Sequence, residues 1–117
     1  MAEARLSVGA PTESLASAKQ FVADYEAAKY PEPYAAYGAY SYDAANAIIN
    51  ALKVSLAEAD DAKSARAATV DALGKVTFEG ATGPVAFDEF GDDTTKVLTV
   101  YKVEGGKWTA DKTGEGS

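Results

Sequence analysis

The hydrophobic spacing of this chain changes character at Lys75. Before it, apolar residues recur at the 3.6-residue period of amphipathic helices; after it, they alternate as they do in short strands. That succession commits the chain to a mixed helix-and-strand architecture. Its 117 residues suffice for one domain, and a chain of this size buries roughly 65% of its unfolded surface.

Several elements follow. "ARLSVGA" (4–10) alternates and is closed by Gly9 and Pro11, which predicts a strand. Thr12 or Ser14 is placed to cap a helix running to about Ala28, with Leu15, Ala18, Val22 and Tyr25 on one face and Phe21 beside them. Pro31 and Pro33 in "KYPEPYAAY" stop that helix. A second helix, from about Ala35 to Ala57, carries two apolar stripes: Tyr37, Ala44, Ile48 and Leu52, and Tyr40, Ala47, Ala51 and Val54. Apolar on more than one side, it is expected to lie between other elements. A third helix begins after Asp60 or Asp61, whose carboxylate suits the N-cap and the helix dipole, and stops at Gly74. Its thin apolar face is Ala65, Ala68, Ala72 and Leu73.

Beyond Lys75, "VTFEG" and "PVAFD" read as short strands and "KVLTVYKV" (96–103) as the strongest strand in the chain. "EGGK" makes a tight hairpin turn, because Gly105 and Gly106 both accept positive φ, and "KWTA" returns. The tail "DKTGEGS" (111–117) is expected to fray.

Composition removes many chemistries. There is no cysteine and no histidine, so disulfides, thiolate metal sites, Cys nucleophiles and a Ser-His-Asp triad cannot be built. The net charge of -7, with no Lys/Arg cluster, argues against nucleic acid and anionic membrane as partners. "MAEARLSVGAPTES" lacks the basic start and apolar run of a signal peptide. Asp43, Asn46, Asn50 and Lys53 interrupt the longest apolar stretch, so it reads as a buried helix and not a membrane span. No phosphate-binding or hydrolase motif is present.

Two clusters remain as candidate sites. The acidic turn "DEFGDD" (88–93) holds Asp88, Glu89 and Asp92. Its glycine is fourth and not sixth, and Phe90 stands where a calcium loop needs an oxygen, so it reads as a turn with Gly91 at positive φ. Neither a metal nor a catalytic role is expected there, and no cofactor is expected anywhere. The second cluster is aromatic: Tyr25, Tyr30, Tyr34, Tyr37, Tyr40 and Tyr42. Tyrosines at helical spacing pack helix interfaces, but rings this dense at a loop-to-helix junction are also the best ligand-facing candidates in the chain.

Three segments, in order, resemble one family: "AKQFVADYEAAKYPEPYAAYGAYSYDAANAIINALK", "DALGKVTFEGATGPVAFDEFGD" and "VLTVYKVEGGKW". They look like the C-terminal part of the substrate-binding proteins of branched-chain amino-acid ABC transporters, the type I periplasmic binding proteins. The most specific piece is F-E-G-x-T-G-P-x-x-F-D-x-x-G-D, from Phe78 to Asp92. The resemblance implies an α/β fold, here a single partial domain over 1–117 with three helices, short strands and a C-terminal hairpin. The three helices would belong to one lobe, and the strand at 4–10 with the hairpin at 96–110 to the other. It further implies a non-enzymatic transport role, lobe closure on a leucine-, isoleucine- or valine-type amino acid, docking on a membrane permease, and a periplasmic or extracellular location. One ligand-contacting position carries over: Tyr37, as an aromatic wall of the cleft. The segments that grip the ligand's carboxylate and ammonium groups in the family are absent from this stretch. The isolated chain is therefore expected either to repack or to associate with itself, as a homo-oligomer or element-swapped dimer. The alternative reading is a structural or assembly module, natural or engineered.

Overall fold

A computed structural model describes residues 4–116. The first strand, β1 (Arg5–Gly9), is followed by two short 3-10 turns at Thr12–Ser14 and Ala16–Ala18, and then by α1 (Lys19–Ala28). The helix thus begins later than its apolar spacing suggested, and neither Thr12 nor Ser14 caps it. Ser14 Oγ instead donates to the Pro11 carbonyl at 2.7 Å, and Ala18, in helical backbone, precedes the first helical residue. Pro11 starts the first turn and Leu15, extended, interrupts the run, which is why the helical pattern is broken there.

The long central helix, α2 (Gly38–Glu58), and α3 (Ala62–Leu73) form an antiparallel-type pair joined by a short loop. Asp61 caps α3 as expected: its Oδ1 accepts from the Lys63 and Ser64 backbone N–H groups, and Ser64 Oγ accepts from the Asp61 N–H, which closes a reciprocal capping box. Those bonds hold the Asp61 carboxyl below its ordinary range. Gly74 ends the helix, but in right-handed backbone (φ -63°), so the stop does not use glycine's left-handed freedom.

Two sheets complete the chain. The hairpin β2 (Thr77–Gly80) and β3 (Gly83–Ala86) pairs Phe78 with Val85. The larger sheet is antiparallel in the order β1-β4-β5, with β4 (Val97–Glu104) between β1 and β5 (Lys107–Glu115). Gly105 and Gly106 turn the hairpin at φ 57° and 77°, the positive pair foreseen for "EGGK". The expected frayed tail is corrected: residues 111–115 continue β5, with Thr113 opposite Thr99 and their hydroxyls 2.7 Å apart, and the Gly116 N–H reaches the Lys96 carbonyl. Ser117 lies outside the described residues. A bulge between Val100 and Tyr101 absorbs the register shift.

The interior is made of small side chains. Among the described residues the buried apolar ones are seven alanines and Val85, and the largest side chains fully out of water are Thr12, Thr99 and Ser55. On α2 the buried row is Ala39, Asp43, Ala47, Ala51 and Ser55, one residue per turn. Small side chains let α3 approach closely; Ser55 Oγ and Thr69 Oγ1 meet at 2.7 Å. Of the two stripes read from the sequence, the second is partly the buried face, with Ala47 and Ala51 buried and Tyr40 half-buried, whereas the first is not. Tyr37, Ile48 and Val54 are exposed, and so are Ile49 and Leu56 beside them. The helix is therefore covered on one side and not between layers. The described chain extends over 59 × 36 × 22 Å with a radius of gyration of 17.4 Å. A compact chain of this length has about 13 Å.

Candidate functional site

The aromatic residues divide between two concavities. The larger, about 970 Å³, lies between α1, the residues leading into α2, and the β2–β3 turn. Phe21 is its centre, with ring centroids 5.9 Å from Tyr25, 5.6 Å from Tyr34 and 5.3 Å from Tyr42. Tyr25 in turn lies 5.0 Å from Tyr30 and 5.4 Å from Tyr34. These tilted and edge-to-face contacts are the arrangement that ring quadrupoles favour. Four of the six expected tyrosines thus come together, around a phenylalanine that the tyrosine count alone had left out.

Hydroxyl bonds fix the rings. Tyr25 Oη donates to the Glu32 carbonyl at 2.9 Å. Tyr34 Oη donates to Glu13 Oε1 at 2.6 Å, and that bond lowers the Glu13 carboxyl and raises the Tyr34 phenol. Gly38 permits the turn into α2, because a Cβ there would lie 2.6 Å from Tyr34 Cβ.

The remaining two tyrosines stand apart. Tyr40 Oη donates to the Ala10 carbonyl at 2.8 Å and ties α2 to the end of β1; burial raises its phenol, with Tyr101 adding to the effect. A Cβ at Gly9 would meet the Tyr40 ring at 2.8 Å, so glycine is what allows this approach. Tyr37 precedes the first residue of α2, is 67% exposed, and lines a smaller concavity of about 310 Å³. Val8, Pro11, Thr12, Ala35, Ala36 and, from β4, Tyr101 also line it. Thr12 Oγ1 is buried in that wall with no hydrogen-bond partner.

The junction between helices and β2–β3 rests on Asp43. Its side chain is 3% exposed. Oδ1 accepts from the Ala81 N–H at 2.8 Å, and Oδ2 accepts from the Thr82 N–H at 2.7 Å and the Thr82 hydroxyl at 2.6 Å. Gly80 makes room, since its Cβ would fall 2.6 Å from Asp43 Oδ2. An aspartate inside an apolar helix run, paired with a glycine-bounded turn near residue 80, was the available sequence signal for this anchor.

The acidic turn is structural. Asp88 Oδ1 accepts from the Phe90 and Asp92 N–H groups at 2.9 and 3.0 Å, and Gly91 takes φ 84°. Chiefly the Asp92 backbone bond holds the Asp88 carboxyl low. Among the described residues no group of three His, Cys, Asp or Glu is placed to hold a metal ion, and no helix is long and apolar enough to cross a membrane.

No family model matches the chain, and no curated protein does. Solved structures do. The leucine-binding protein LivK of Thermotoga maritima superposes with a TM-score of 0.67 at 25% identity, over 95% of this chain and 30% of that one. The chain has the fold of part of an ABC-transporter solute-binding protein. A solute-binding protein of R. palustris in complex with benzoate (TM-score 0.64, 19% identity, 95% of this chain and 29% of that) and a substrate-binding protein of Desulfitobacterium hafniense in complex with Leu (0.59, 22%, 91% and 30%) share it. The solute-binding fold is therefore present here over about three-tenths of the length of these proteins. The neighbours are consistent with the C-terminal position that the sequence resemblance indicated.

Proposed function

We propose that the chain is a non-enzymatic portion of a solute-binding protein for uptake of a small amino acid of the leucine, isoleucine or valine type. The observation that carries this is the likeness to a leucine-binding protein over 95% of the chain. In the complete assembly two lobes would close on the ligand, and the closed form would dock on a membrane permease at the outer face of a membrane, in the periplasm or its extracellular equivalent. Tyr37 would supply an aromatic wall. Its exposure, its place at the mouth of α2 and the concavity it shares with Tyr101 support that role. The whole of residues 1–117 would then be one partial domain.

The ligand would gain most of its affinity from hydrogen bonds to its charged ends. The described concavity beside Tyr37 offers few groups for that purpose: Glu13 is engaged by Tyr34, and Thr12 Oγ1 is enclosed. The chain alone should therefore bind leucine, isoleucine or valine weakly or not at all. Calorimetry with the isolated chain is expected to show no saturable heat at micromolar ligand. The positive arm uses a chimaera in which this chain replaces the matching segment of the Thermotoga protein. Leucine binding by the chimaera that Tyr37→Ala weakens by about 10-fold or more supports the reading. Binding unaffected by Tyr37→Ala removes the assigned role, and saturable micromolar binding by the isolated chain contradicts its incompleteness.

A further inference from the structure

The concavity beside Tyr37 is built by two different parts of the chain. Val8, Gly9 and Tyr101 belong to the three-stranded sheet, whereas Ala35, Ala36 and Tyr37 lead into α2. Among the described residues no helix packs along that sheet, so the spacing of the two parts depends on the junction where β1 ends. Ala10 stands at that junction and is fully enclosed. Its N–H donates to the Val97 carbonyl at 3.1 Å, which extends the sheet. Its carbonyl accepts from Tyr40 Oη at 2.8 Å, which reaches it from the first turn of α2. The Tyr40 ring lies against Gly9, where a Cβ would fall 2.8 Å from it. The same phenol is near enough to Tyr101 for the two to interact, and burial raises it, so it remains a donor across the neutral range.

We infer that Tyr40 is a positioning residue for this concavity: through its bond to Ala10 it fixes the separation of the Tyr37 and Tyr101 walls. This rests on the reading of the concavity as part of a ligand site. Tyr40 does not line the concavity itself, so it acts on a ligand through the walls and not by touching it. Tyrosine suits the task. Its side chain is stiff, with few rotatable bonds, so a hydroxyl bond at its far end holds a backbone at a set distance from the helix. The bond is part-buried, where water competes poorly for the Ala10 carbonyl. Gly9 is the complement of the ring, because only a residue without a side chain lets it reach Ala10.

The test is a distance measurement on the intact chain, which has no cysteine of its own. Nitroxide labels at Lys53→Cys on α2 and Thr109→Cys on β5, both exposed positions, report the separation of the two parts by pulsed electron resonance. The labelled chain is expected to give one narrow distance distribution. Tyr40→Phe keeps the ring and removes the bond, and is expected to raise the share outside that peak about five-fold. Gly9→Ala, which evicts the ring, should act in the same way, and should add nothing once residue 40 is alanine, because the clash is then gone. Tyr30→Phe, at an exposed ring of the Phe21 group, should change nothing. Circular dichroism and melting temperature are followed in parallel. A Tyr40→Phe chain that melts lower but keeps the original distribution has lost only a structural contact, and overturns the inference; so does a Gly9→Ala effect that persists without the Tyr40 ring. In the chimaera, Tyr40→Phe is expected to raise the leucine dissociation constant about five-fold with Tyr37 and Tyr101 in place. Unchanged affinity in a chimaera that does respond to Tyr37→Ala also overturns it. A chimaera indifferent to Tyr37→Ala removes the ligand reading instead, and leaves the distance result to stand or fall by itself.

Discussion

Asp43 shows how much one side chain organises. It is buried, it receives three hydrogen bonds from the Ala81–Thr82 turn, and Gly80 is cut away to admit it. Asp43→Ala would leave two turn N–H groups without their partner. We expect a loss of about 3 kcal/mol in urea unfolding. Gly80→Ala should cost about 2 kcal/mol in the native background but much less once Asp43 is alanine, because the clash is with that carboxylate. Additive costs would contradict the contact. A pH dependence also belongs to this scale. Arg5 first and Lys102 second hold the Asp111 carboxyl below its usual range, and Tyr34 does the same to Glu13. Depressed folded values mean stability that is complete above the unfolded carboxylate pKa and is lost as pH falls through the folded one. Lys102, raised chiefly by Glu104 and then by Asp111, contributes stability that is complete below its unfolded pKa and is lost as pH rises through the raised value. The melting temperature should therefore be level between about pH 5 and 9 and fall below about pH 4. Glu13 is exposed and Asp111 and Lys102 only partly covered, so the acid loss should be modest and should shrink in Asp111→Asn or at high salt. A melting temperature that rises on acidification would contradict the assignment.

At the scale of elements, what could be read beforehand depended on whether local chemistry decided the outcome. The Asp61 cap, the Gly105-Gly106 turn and the strand at 97–104 are set by their own residues, and all were legible. Asp61→Ala should lower the helical signal and the melting temperature by a few degrees, whereas Asp61→Ser should restore most of both; equal effects would mean the capping box contributes nothing. The faces of α2 were not legible in the same way. Hydrophobicity points to Ile48, Ile49, Val54 and Leu56 as interior, yet close packing on α3 and on the β2–β3 turn selects the small row from Ala39 to Ser55. Which face is covered depends on which neighbours exist, and no residue of the helix reports that. The start of α1 failed for a different reason: Thr12 and Ser14 are good capping residues, but Pro11 and the extended Leu15 use them in 3-10 turns. Strand β5 outran its expected end because pairing to β4, rather than the polar composition of residues 111–115, decides where it stops. The candidate site was half readable: the tyrosine density was plain, whereas its division into a Phe21-centred group and a separate Tyr37 concavity depends on tertiary geometry.

At the scale of the molecule, small buried side chains and large exposed ones describe a surface layer without its counterpart. Each buried alanine methyl contributes on the order of 0.8 kcal/mol, well below a fully buried leucine or isoleucine, and the leucines and isoleucines of α2 remain at least partly in water. The sheets are equally partial. Among the described residues one has three strands and the other two, and β1 and β5 are the edges of the larger. These features agree with a chain that spans about 30% of the solute-binding proteins whose fold it shares. The most direct measurement is small-angle scattering of the chain, extrapolated to infinite dilution so that shape is not confused with association. The account predicts a radius of gyration near 17 Å, as in the described structure. A value near the roughly 13 Å of a close-packed globule of this length, with a sharp cooperative melt, would contradict it.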